Sequence, residues 1–230
     1  SRTNLGYPKC LYKFKDGEML IQKILKILKE LGFSNREIYF VTGFKSNLIK
    51  EKTFNKYKYV FNKNFKTTNM VYSLNKVLKK IKPDEIITIY SDILFEKKCL
   101  SKLIKSKHSI STVIDTDWKN KWKKKSNFMN DLEELKVINS EIYSLGKKTF
   151  NLDDIDGRFL GMTKFSKKSV SIIKEKLISQ ILRKDKKIDL TNFLMELIKL
   201  NLKVNAILGK FNWHEFDNPQ DFKIFKEKKF

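Results

Sequence analysis

Cysteine is nearly missing from this chain. Cys10 and Cys99 are its two thiols in 230 residues, too few for a disulfide framework and not spaced as a metal cluster. That usage implies a reducing cytoplasm. Long apolar runs are also missing: nothing approaches the roughly 18 consecutive apolar residues that span a bilayer. No signal-peptide pattern precedes the first motif, although the chain also lacks an initiator Met. Proline occurs only at Pro8, Pro83 and Pro219, each where a turn or helix start is expected, so no proline-rich linker divides the chain. Histidine occurs only at His108 and His214, which leaves little for chemistry built on a neutral-pH base.

Arginine is the most informative scarcity. The chain carries a formal charge of +23, which by itself points to a polyanion. Yet arginine stands only at Arg2, Arg36, Arg158 and Arg183; lysine supplies the rest. Arginine is the side chain that grips phosphates in pairs and reads base edges. Base-stacking aromatics interleaved with arginine are not found either. A solvated lysine-rich surface is therefore expected, with no nucleic-acid partner, though such a surface still draws small anions towards a cleft.

What is present is a full core: 41% of the residues are hydrophobic, enough for one α/β domain spanning 1–230. Leu20, Ile21, Ile24, Leu25, Ile27, Leu28 and Leu31 recur at helical spacing and stop at Gly32. Short strand-like runs at 37–42, 57–62, 85–90 and 109–114 alternate with helical patterns near 43–52, 69–81 and 97–106. That alternation predicts a doubly wound, mostly parallel sheet of the Rossmann-like kind. From about 115 to 160 charged and aromatic residues mix with shorter β-like segments at 135–138 and 141–145, which reads as a small inserted β region on the substrate side. Helices near 168–182 and 190–200, a strand at 204–208 and a last helix from Pro219 complete the pattern.

Ligands of such sheets bind beyond the carboxyl ends of the strands, and Asp92, Asp115 and Asp117 fall there. Asp92 follows a continuous apolar run and suits a Mg²⁺ ligand or a helix N-cap equally. Glu215 and Asp217, two apart in an extended segment, face one way and could join Asp92 as an oxygen-rich cation site; capping of the helix at Pro219 by Asp217 or Asn218 is the alternative. Arg2 and Lys9 lie on a glycine-containing stretch able to hold a polyphosphate, or form a frayed basic end. Trp118 and Trp122, four apart, would share a helix face and could cage a cationic amine, or simply pack.

The ordered series is more specific than its members. Ser1-Arg2, Pro8-Lys9, EIYFVTGF, Thr68-Asn69-Met70-Val71-Tyr72-Ser73-Leu74, strand-Asp92, Asp115-Thr116-Asp117-Trp118, Asp156-Gly157-Arg158 and Trp213-His214-Glu215-Phe216-Asp217 span nearly the whole chain. The series resembles the nucleotidyltransferase family, and within it the cytidylyltransferases of phosphocholine and 2-aminoethylphosphonate type.

The resemblance implies transfer of CMP from CTP to a small phosphorylated or phosphonylated acceptor, with Mg²⁺. Arg2 and Lys9 would then be catalytic and contact the triphosphate. Asn69 and Ser73 would lie near the nucleotide, and Asp92, Glu215 and Asp217 at the metal. Asp115, Asp117, Trp118, Trp122 and Arg158 would line the acceptor pocket. Arg158 stands where the subgroup often has an acid, which favours an anionic acceptor over choline. A sugar-1-phosphate nucleotidyltransferase and a non-catalytic basic nucleic-acid module are the alternatives. The family's first strand and glycine-rich loop are expected before Ser1, so on this reading the chain starts partway through its nucleotide-binding loop.

Overall fold

A computed structural model describes residues 6–122 and 132–226. In chain order the helices are α1 (Leu20–Glu30), α2 (Ser46–Lys52), α3 (Met70–Leu78), α4 (Lys97–Lys105), α5 (Trp118–Trp122), α6 (Lys167–Ile172), α7 (Ile178–Lys184), α8 (Leu190–Lys199) and α9 (Pro219–Lys226). The strands are β1 (Tyr39–Thr42), β2 (Lys58–Phe61), β3 (Ile86–Ile89), β4 (Ile93–Phe95), β5 (Ile110–Asp115), β6 (Glu133–Ile138), β7 (Glu141–Lys148), β8 (Arg158–Phe165), β9 (Asn205–Gly209) and β10 (Trp213–Glu215). The chain divides into two compact units.

The first unit holds Ser1–Phe65, Tyr90–Lys98 and Asn212–Phe230. Its α1 buries Leu20, Ile21, Ile24, Leu25 and Leu28, the stripe read from their spacing. Gly32, at φ +91°, ends it, and Phe33 N donates to Leu28 O at 3.1 Å, satisfying a terminal carbonyl. β1 and β2 pair in parallel. β4 and β10 pair antiparallel, with Glu215 opposite Ile93. Phe14, Phe216, Phe222 and Phe225 pack ring against ring, giving this unit an aromatic core.

The second unit holds Lys66–Ile89 and Cys99–Phe211. Among its described residues six strands form one sheet in the order β3-β8-β5-β9-β7-β6. β3, β5, β9 and β6 run one way and β8 and β7 the other. The α/β class with a predominant strand direction is thus as expected. The segments at 135–138 and 141–145 form a hairpin, β6–β7, turned by Asn139 and Ser140 at φ 51° and 62°, the left-handed pair that suits a tight hairpin. It joins the sheet edge through β7, Glu141 opposite Asn205.

One strand was not expected. β8 is inserted between β3 and β5 and is almost wholly buried. Its sequence hides this in two ways. Gly161 at φ +64° lies where the β5 pairing shifts register, as bulge glycines do. Lys164, 4% exposed, looks like a surface residue. Its ammonium instead donates to Ile104 O and Ser106 O, both at 2.8 Å, and lies 3.1 Å from Glu85, which satisfies a charge otherwise costly to bury. The helix read at 168–182 is three pieces, α6, a π-helical turn at Ile173–Leu177 and α7.

Candidate active site

Pro8 opens a short 3-10 turn, Lys9–Leu11, that Leu11 N closes by donating to Pro8 O at 2.9 Å. Cys10 and Leu11 are buried and anchor it, leaving the Lys9 side chain 19% exposed. The ammonium lies 3.1 Å from Asp92 Oδ2 and 3.4 Å from Asp217 Oδ1. Burial works against its charge, and the two carboxylates outweigh burial, so the Lys9 pKa is raised above its ordinary value.

The backbone explains why residues so distant in sequence meet. Asp92 immediately precedes β4, whose three residues are all buried. The β4–β10 ladder continues one step, Phe216 N donating to Asp92 O at 2.9 Å, which sets Asp217 beside Asp92. Asp92 precedes a strand rather than a helix, so helix capping does not account for it. Asp217 is not the cap of α9 either. Asn218 Oδ1 accepts from Gln220 N at 2.8 Å and Asp221 N at 3.2 Å, while Asp221 Oδ2 accepts from Asn218 N at 2.9 Å. That reciprocal box is legible in the spacing Asn218-Pro219-Gln220-Asp221.

Asp221 is 2% exposed and also accepts from Asp217 N at 2.7 Å, which holds the Asp217 backbone. His214 points away from the carboxylates: Nε2 lies 2.9 Å from Asp221 O, and its ring meets Phe216 and Phe225.

Two partly exposed carboxylates that share one ammonium keep a net negative charge and suit a hard divalent ion that keeps water and phosphate ligands besides. Glu215 does not complete a trio: among the described residues no three His, Cys, Asp or Glu side chains converge as a metal site. Arg2 lies outside the described residues.

The remaining candidates belong to the second unit. Asn69 is the N-cap of α3; its Oδ1 accepts from Met70 N at 2.9 Å and its Nδ2 donates to Lys187 O at 3.1 Å. Ser73 lies one turn on, its N donating to Asn69 O at 3.2 Å.

Asp115, 0% exposed, ends β5. Its Oδ1 accepts from Phe211 N at 3.1 Å and Asp117 N at 3.3 Å, and its Oδ2 accepts from Lys121 at 2.6 Å. Asp115 thus ties β5, α5 and the segment after β9 together; its pairing with Lys121, six residues on, has no signal in the sequence. Asp117 accepts from Asn120 Nδ2 at 2.7 Å. Trp118 is buried at 2% exposure; the Trp122 ring, at the end of α5, lies outside the described side chains. Arg158 stands opposite Asp115 in register. Gly157 fits closely there: a Cβ would lie 2.3 Å from Ile114 Cγ2 and 3.0 Å from Asp115 O, which only glycine avoids.

No family model matches the sequence. The chain is 31% identical over 236 residues to the CTP:phosphoglutamine cytidylyltransferase of Campylobacter jejuni, covering 96% of this chain and 92% of that protein. The chain belongs to the cytidylyltransferase family of nucleotidyltransferases. The cytidylyltransferase fold recurs in solved structures. The inositol-1-phosphate CTP transferase of T. maritima superposes with a TM-score of 0.71 at 18% identity, over 96% of this chain and 88% of that one. The CTP:phosphocholine cytidylyltransferase of Streptococcus pneumoniae gives 0.67 at 19% identity, over 99% and 93%. No helix among the described residues of this cytidylyltransferase is long and apolar enough to cross a membrane.

Proposed function

We propose that the protein transfers CMP from CTP to a small phosphorylated acceptor and releases pyrophosphate. The observation that carries this reading is the meeting of Lys9 with Asp92 and Asp217 in a chain of this family. In the reaction an acceptor phosphate oxygen bonds to the α-phosphorus of CTP, and the bond from that phosphorus to the pyrophosphate oxygen breaks. The attacking oxygen is already ionised, so no strong base is needed, in keeping with a site whose nearby histidine, His214, is held elsewhere. Such transfers depend on positioning and on neutralising charge.

Lys9 supplies fixed positive charge, and its raised pKa keeps it protonated at neutral pH. Arg2 is assigned to the triphosphate with it. Asp92 and Asp217 would hold Mg²⁺, with Glu215 nearby in sequence; the ion, when bound, neutralises triphosphate charge. Asn69 and Ser73 are assigned to the nucleotide. Asp117, Trp122 and Arg158 are assigned to the acceptor, with Asp115 and Trp118 acting from within the fold to position them. The guanidinium of Arg158 favours an acceptor that carries an anionic group beyond its phosphate.

Mass spectrometry of reactions containing CTP, Mg²⁺ and phosphocholine, 2-aminoethylphosphonate or a phosphorylated amide checks the proposal. A product with the mass of the acceptor joined to CMP supports it; CTP left intact with every acceptor rejects it.

A further inference from the structure

A lysine-lined cleft lies in the second unit, with a volume of about 430 Å³, within the range of small-molecule sites. It is built by the loop before β5, the first turn of α6 and the turn between α8 and β9. Lys107, His108, Lys168 and Lys203 line it, and no Asp or Glu does. Lys203 pairs with Glu141 at 2.7 Å, whereas Lys107 and Lys168 have no carboxylate partner among the described residues. The walls are joined: Ser169 Oγ, in α6, donates to Ser109 O at 2.7 Å.

The deciding residue is Asn205. It lines the cleft and is 8% exposed, yet its carboxamide makes no hydrogen bond among the described residues. Buried polar groups left unpaired are rare and costly, and most are satisfied by protein or by ordered water, which the polar atoms of a ligand can replace. Cations without counter-charges around an unpaired buried amide suit a compact anion bearing further hydrogen-bonding groups. A lysine-rich surface by itself has no such floor. The cleft is also remote from Asp115: Ser109 precedes and Asp115 ends β5, about 20 Å apart at ~3.3 Å per residue.

We propose that this cleft binds the phosphate group of a small phosphorylated molecule, at a site separate from the one containing Asp115. The test is an amide-resolved NMR titration of the full chain with ribose 5-phosphate, inorganic phosphate and ribose. Saturable shifts at His108, Ser109, Ser169 and Asn205 are expected with the two phosphates, half-complete at about 1 mM or below, and none with ribose. Tighter binding of ribose 5-phosphate identifies an organic phosphate, and equal binding identifies phosphate itself; either supports the site.

The K107Q/K168Q double variant should weaken binding about tenfold or more at low salt. Asn205→Val should also weaken it while keeping or raising Tm, because it removes an unpaired buried amide. Shifts that never saturate, shifts confined to residues near Lys9 and Asp92, or titrations unchanged in the double variant would overturn the proposal. Tighter binding of an oligonucleotide than of ribose 5-phosphate to these same residues would also overturn it, in favour of a nucleic-acid surface.

Discussion

The Lys9 ammonium lies 3.1 Å from Asp92 Oδ2, across 83 positions of sequence. A lysine held between two carboxylates is poised to exchange them for phosphate oxygens when an anionic substrate arrives. Lys9→Met should therefore lower kcat/KM for CTP by about 10²–10³-fold, the usual effect of losing one positioned charge donor. Steady-state kinetics check this. Lys9→Arg should recover part of the loss, since charge returns with altered geometry.

Asp217 and Asp221 separate function from folding. Asp217→Ala and Asp92→Ala should each abolish turnover, with Tm within a few degrees of the parent. Asp221→Ala removes the box that holds α9 and should cost about 1–2 kcal/mol, seen in urea unfolding.

Asp115 is a test of positioning. Asp115→Ala leaves the Phe211 N–H without its acceptor and Lys121 with only Phe211 O, at 2.6 Å, and the more distant Asp117; breaking such a buried pair costs about 3 kcal/mol. For a chain of this size that lowers Tm by roughly 6–12 °C. Differential scanning calorimetry reads it directly.

The Cys10 thiol, buried beside the candidate site, has its pKa pushed up to about 12, with burial the main cause. Native Cys10 should resist thiol reagents at pH 8 and react on unfolding. The unfolded thiol ionises first, so stability should decline as pH rises past about 9 and level off near 12. The raised Lys9 pKa acts in the same alkaline direction: its stabilisation holds below the ordinary lysine value of about 10.5 and is lost as pH rises through the folded value. Cys10→Ser should remove the Cys10 share of this decline in pH-dependent unfolding.

Much of the architecture was legible because periodicity reports burial locally. The α1 stripe is an example, and Asp92 beyond β3 followed from the sheet rule, whereas the continuous apolar run of β3 suggested full burial and the strand is a half-buried edge among the described residues. β8 was not legible, because Gly161 and Lys164 break its apolar pattern: Gly161 lies where β8 bulges against β5, and the Lys164 ammonium is satisfied by the distant carbonyls of Ile104 and Ser106. The same limit applied to Asp115, placed by its strand end, while its bond to Lys121 depends on how α5 turns. Capping of α9 was open between Asp217 and Asn218 although the Asn218–Asp221 spacing carries the answer.

Whether the protein is a Mg²⁺-dependent cytidylyltransferase is decided by pyrophosphate release measured with CTP, UTP, ATP and GTP, each with a phosphorylated acceptor and with Mg²⁺ varied. Mg²⁺-dependent release that favours CTP and vanishes in Asp92→Ala and Asp217→Ala is expected. Release without preference for CTP, or near-normal rates in either variant, would contradict it.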